Sequence, residues 1–183
     1  MTALAHTPTT STHVAPSDEV RRHRRAAIAL GVTRLVMGWT FLWAFVDKLF
    51  GLGFATPDGK GWLDGGSPTK GFLANSAEGP FEGFYKSIAG DAWANWAFML
   101  GLLGIGVALT LGITMRIAVA SGAALYVMMW TVALAPANNP ITDDHIIGAL
   151  VLVLLGVFAA GDKYGLGTAW KKLPIVQRFP ILK

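Results

Sequence analysis

The stretch WANWAFMLGLLGIGVALTL, Trp93–Leu111, is followed after only five residues, GITMR, by IAVASGAALYVMMWTVALA, Ile117–Ala135. Each run is close to the ~20 residues needed to cross the hydrocarbon core of a bilayer. Neither contains an acidic or basic residue. A five-residue turn carrying Arg116 leaves the second run no course but back alongside the first. A transmembrane helical hairpin is therefore the nucleus of the expected fold.

Working outward, two further apolar windows lie at about 26–50 and 144–160, the latter reaching full length only if it starts within Asp143-Asp144-His145. The chain is 53% hydrophobic and only 14% charged, with a mean hydropathy of +0.49. That is too apolar for an ordinary soluble domain. The expectation is an all-α integral membrane protein: a four-helix transmembrane bundle over residues 26–170, with flanking basic tails at 1–25 and 171–183.

Lys and Arg orient the bundle. Ten basic residues lie before the first window, in the Arg116 turn or after the fourth, whereas the connection from Gly51 to Ala92 carries three lysines against five acids. By the positive-inside rule both termini face the cytoplasm, in a multi-pass protein of the cell membrane. The first 25 residues are polar and lack the apolar core and small-residue cleavage site of a signal peptide, so a disordered tail touching anionic lipid is expected. These flanks account for the net charge of +4, and no nucleic-acid partner is expected.

There is no cysteine. Disulfide relays, thiol catalysis and iron–sulfur ligation within this chain are thereby excluded. Haem held by paired axial ligands is not expected, because His6, His13 and His23 lie in the tail and only His145, with Met128 or Met129 as a partner, is near a window. No metal site is expected.

The first window has two registers. Beginning at Ala26 it buries Arg34 two turns deep; beginning near Leu35 it puts Arg34 at the inner interface, snorkelling to lipid phosphate, and carries Asp47 and Lys48 into the outer leaflet. The similar spacing of Arg116 and Trp130 favours the second. Trp39, Trp43 and Asp47 then share one helical stripe, an aromatic wall ending in an acid. Tryptophans at a membrane interface are equally well explained as anchors. Gly101, Gly104, Gly106 and Gly122 read as packing positions.

The Gly51–Ala92 connection is glycine-rich, and Phe81, Phe84, Tyr85 and Ile88 fall at helical spacing, which predicts a short interfacial helix in a long outer loop acting as a lid. At the other connection, Asn138-Asn139-Pro140 supplies a turn, and Thr142 or Asp143 is positioned to cap the last helix. A cap needs one such residue. The second acid, Asp144, with His145 next to it, is also what a proton-handling site requires.

Three segments together, Trp43-Ala44-Phe45-Val46-Asp47-Lys48-Leu49-Phe50-Gly51, Trp62-Leu63-Asp64-Gly65-Gly66-Ser67-Pro68-Thr69, and Asn138-Asn139-Pro140 with Asp143-Asp144-His145, resemble the DoxX family in its actinobacterial branch. The likeness extends from about Arg34 to Trp170. It implies a four-helix membrane protein and, as one family activity, oxidation of thiosulfate or a related sulfur compound coupled to quinone reduction, with a second protein subunit. The residue roles come from chemistry: Asp47, Asp144 and His145 as catalytic proton donors or relays, with Lys48 and Asp143 as polar contacts and Trp43 and Trp130 as ring walls for a ubiquinone or menaquinone.

Three functions follow as alternatives. A quinone-linked oxidoreductase subunit uses the acids and the aromatic stripe. A non-catalytic anchor for a redox or stress-defence partner uses the long loop and basic flanks. A small-solute or proton carrier needs a polar path, which the second and third windows lack.

Overall fold

A computed structural model of the chain describes residues 18–136, 139 and 141–183. The expected turn residues Asn138 and Pro140, and the tail up to residue 17, lie outside the described residues. Those that are described form helices, with no strand among them.

Helix α1 (Asp18–Phe50) is the longest, at 33 residues. It begins well before Ala26, so Arg21 to Arg25 are helical and not part of a disordered tail. Asp18 and Glu19 occupy the first turn, where they favour the positive end of the dipole, and Arg21 pairs with Asp18 at 2.6 Å. The connection after α1 holds two short helices, α2 (Lys70–Asn75) and α3 (Glu82–Ser87), the first of them not foreseen. Then come α4 (Ala92–Leu111) and α5 (Met115–Val132), followed by α6 (Asp144–Val157).

Three of these helices, α1, α4 and α5, are long and apolar enough to cross a membrane. With 14 residues, α6 spans only about 21 Å at 1.5 Å per residue, less than the ~30 Å of hydrocarbon. It ends three residues short of the expected 160. The chain packs α1 on α4, α4 on α5 and α5 on α6, with α6 also touching α1. Met99, Leu109, Leu152 and Leu155 are fully enclosed at the centre.

Close helix approach is specific to certain glycines. A side chain at Gly38 would meet Thr110 and one at Gly106 would meet Leu42, so α1 and α4 touch backbone to backbone, while Gly101 and Gly104 face open space.

Arg34 departs from expectation. It is level with the end of α4 but does not snorkel: its side chain is fully buried and donates to the carbonyls of Leu109 and Thr110 (2.8 Å) and of Tyr164 (3.0 Å). The last carbonyls of a helix have no partner of their own, and a buried cation there satisfies both their lone pairs and the negative end of the dipole. Gly112, at φ +73°, turns the chain beside the guanidinium.

The segment after residue 170 is folded rather than a free tail. Helices α7 (Gly167–Trp170) and α8 (Pro174–Arg178) return the chain beneath α5, with Val176 fully buried. The Trp170 indole donates to Leu182 at 2.6 Å and the Arg116 guanidinium to Pro180 at 3.0 Å.

Candidate functional site

The end of the molecule that carries Lys48 encloses a cavity of about 490 Å³ between α1, α4, α5 and the connection that holds α2 and α3. Its volume falls within the 300–1,000 Å³ range usual for small-molecule sites. Aromatic rings supply much of its wall: Phe41, Phe72, Trp93, Phe98 and Tyr126, with Met128 and Met129 as adaptable filling. Trp93 and Met128 are themselves exposed, so the cavity reaches the protein surface.

Among the described residues that line it, Lys48 is the only charged one. Its ammonium lies 5.9 Å from the Phe98 ring centroid, a cation–π approach, and forms no ion pair with a described carboxylate. A cation in an apolar wall is costly to desolvate without an acceptor. A ligand carbonyl or anion would supply one.

The cover of the cavity is tied down by polar residues. Asn95, buried in the first turn of α4, accepts from Thr69 Oγ1 at 2.7 Å and from Ser67 Oγ at 3.0 Å, which seats Pro68 and Thr69 in the wall. Tyr85, buried on α3, shares a hydrogen bond with Thr131 of α5 at 2.6 Å. Sequence reasoning passed over Asn95 and Thr69. The available signal was a lone amide inside an otherwise apolar window.

Asp47 and Lys48 are neighbours with different tasks. The Asp47 carboxylate is buried and accepts the backbone N–H groups of Thr56 (2.8 Å) and Phe54 (3.4 Å), anchoring the loop that leaves α1. It does not line the cavity. Trp43 meets Trp39 at a tilt and Phe54 edge-on, at ring distances of 5.7 and 5.0 Å, also outside the lining. Trp130 donates to the Ile141 carbonyl at 3.1 Å and staples the α5–α6 connection. Trp43 and Trp130, the expected ring walls, do not line this cavity, whose aromatic residues are others.

At the start of α6, Asp143 is the N-cap: one carboxylate oxygen accepts the backbone N–H of His145 and of Ile146, and the other lies 2.7 Å from His145 Nδ1. Burial pushes the Asp143 carboxyl upward, but the His145 side chain and the two backbone donors outweigh it and hold the group below the usual carboxylate range. Asp144 is exposed beside the pair. The His145 ring meets Tyr126 edge-on, 6.1 Å between centroids, and Tyr126 is a wall of the cavity. The structure therefore connects Asp143, His145 and Tyr126 to the site and leaves Asp47, Asp144, Trp43 and Trp130 outside its lining.

No three His, Cys, Asp or Glu side chains among the described residues converge to hold a metal ion. No family model, no curated protein and no solved structure matches the chain.

Proposed function

We propose that the chain is the membrane subunit of a quinone-linked oxidoreductase, and that the Lys48 cavity receives the quinone ring. The observation that carries this reading is a single cation in a ring-lined apolar cavity, near Asp47 but in direct ion-pair contact with no described carboxylate. A ubiquinone or menaquinone ring needs flat apolar walls and a donor to one carbonyl, and Lys48 provides that donor. The isoprenoid tail leaves past Trp93 and Met128 into lipid.

Bound quinone supplies a two-electron, two-proton acceptor; the donor in this reading is thiosulfate or a related sulfur compound, two thiosulfates losing one electron each as an S–S bond forms between them. The chain's own residues hold the ring, exclude water and handle protons. Asp143 orients the imidazole through Nδ1, which leaves Nε2 as the basic nitrogen, and Tyr126 is the wall residue beside it. Asp47 holds the loop in place rather than a proton.

The reading includes a four-helix transmembrane bundle in the cell membrane, with α6 as the short fourth member, both termini in the cytoplasm and a second subunit that delivers electrons. It is supported by the likeness to the DoxX family between Arg34 and Trp170.

The test is extraction of small molecules from protein purified in mild detergent, with mass spectrometry and a quinone-reduction assay using thiosulfate and related donors. Co-purifying quinone that falls in Lys48→Met supports the reading. Quinone that is absent, or present equally in Lys48→Met, overturns the site. An empty protein with a stable partner shifts the assignment to a non-catalytic membrane anchor.

A further inference from the structure

A second cavity, of about 570 Å³, lies at the opposite end, where α5 begins, α6 ends and the folded carboxyl-terminal segment passes beneath. Of its lining side chains, Arg116, Lys171 and Lys183 are cationic and Asp162 alone is anionic. Asp162 is taken by Lys171 at 2.6 Å, and Arg116 uses one N–H on Pro180, so donors remain on both cations. Lys183 adds a third.

The wall above these charges is of another character. One helical turn further into the bundle the cavity is lined by Val119 on α5 and Val153 on α6, and Val153 and Val157 are exposed on the apolar outer side of the molecule. Cations at one end and an apolar track leading away from them match an amphiphile with an anionic head. A free anion would fill only the polar end and leave the track bare.

We infer that this cavity is a binding site for an anionic diacyl phospholipid, its phosphate held by Arg116, Lys171 and Lys183 and one acyl chain lying along the α5–α6 groove. Basic pockets between membrane helices are suited to acidic headgroups by charge alone, and the track adds selection for a lipid. The site is separate from the Lys48 cavity and does not depend on quinone chemistry.

The experiment uses the full chain in mild detergent, supplied with equal phosphatidylglycerol and phosphatidylcholine, and native mass spectrometry reads which lipid stays bound. Phosphatidylglycerol should be retained in preference. That preference should fall by about fivefold for each cation removed in Lys171→Gln and Lys183→Gln, the effect of one basic residue at an anionic surface. Ala120→Phe, which fills the groove from an exposed position without touching charge, should also release the lipid. Equal retention of the two lipids overturns the inference, as does undiminished retention in Ala120→Phe. Inorganic phosphate that raises the melting temperature as much as phosphatidylglycerol overturns it in favour of a free-anion site.

Discussion

Asp143 and His145 form one unit: a carboxylate oxygen 2.7 Å from the imidazole Nδ1, while the other oxygen of the same group caps α6 through the His145 and Ile146 amides. The cap and the histidine orientation are therefore not separable in Asp143. One substitution tests both.

Because the Asp143 carboxyl is held below its ordinary value of 3.8, it contributes stability that is fully present above that value and is lost as pH falls through the lower, folded one. Amide protection in the first turn of α6, taken as exchange corrected for the intrinsic rate at each pH, should fall on acidification below about pH 4, the ordinary carboxylate region. In Asp143→Asn the same corrected protection should change little over that range. Asp143→Ala should cost about 1 kcal/mol, the usual value of an N-cap.

Arg34→Leu should destabilise the protein by roughly 3 kcal/mol, since the buried Leu109 carbonyl and the part-buried carbonyls of Thr110 and Tyr164 lose a charged donor. Arg34→Lys should recover only part of this. A single ammonium cannot reproduce the planar fork that reaches both α4 and Tyr164. Thermal unfolding in detergent reads both, and a wild-type melting temperature in Arg34→Leu would show that the clamp is idle.

Asp47→Ala leaves two backbone N–H groups without an acceptor at the base of the loop, a loss of about 1–3 kcal/mol. Proteolysis of the segment after Phe50 should accelerate correspondingly. Asp47→Asn, which keeps one acceptor oxygen, should lie between wild type and Asp47→Ala, and under the proposed quinone function it should bind quinone as wild type does. Loss of quinone with an intact loop would return Asp47 to the binding site.

Lys48→Met should leave the melting temperature near wild type or above it, because an apolar side chain replaces a cation in an apolar wall. Quinone retention should drop about tenfold, as expected when a ~1.4 kcal/mol charged hydrogen bond is removed. The two readouts move in opposite directions only if Lys48 serves a ligand.

Gly106→Ala and Gly104→Ala each add one methyl group, two positions apart on the same helix. The first meets Leu42 and the second meets nothing, so the first should lower the melting temperature and the second should hold or raise it, by up to about 0.5–1 kcal/mol of helix propensity. Equal effects would mean that α1 and α4 are not in the contact described.

How much of this was legible in advance depended on the range of the interaction. The α4–α5 hairpin could be read because apolar length and a short turn are local properties, and so could a cap at Thr142 or Asp143, of which the structure uses Asp143. The same local reading misjudged Arg34, since the carbonyls it serves are 75, 76 and 130 residues away in sequence. Lys48 was singled out beside Asp47, but nothing in WAFVDKLFG distinguishes a carboxylate turned onto its own loop from an ammonium turned into a cavity. Helix α2 was missed because six residues in a glycine-rich connection carry little periodic signal.

By itself the sequence determined that the chain is helical and apolar enough to enter a membrane, because hydropathy, helix length and turn chemistry act within a few tens of residues. It also singled out Asp47, Lys48, Asp143 and His145 as costly groups near apolar helices. Only the tertiary structure decided which of them face a common space, placing Lys48 and Tyr126 in a cavity wall, His145 against Tyr126, and Asp47 under a loop. The physical reason is that a buried polar group is defined by its partner, and Phe98 beside Lys48, Tyr126 beside His145 and the α4 carbonyls held by Arg34 all arrive from a different helix.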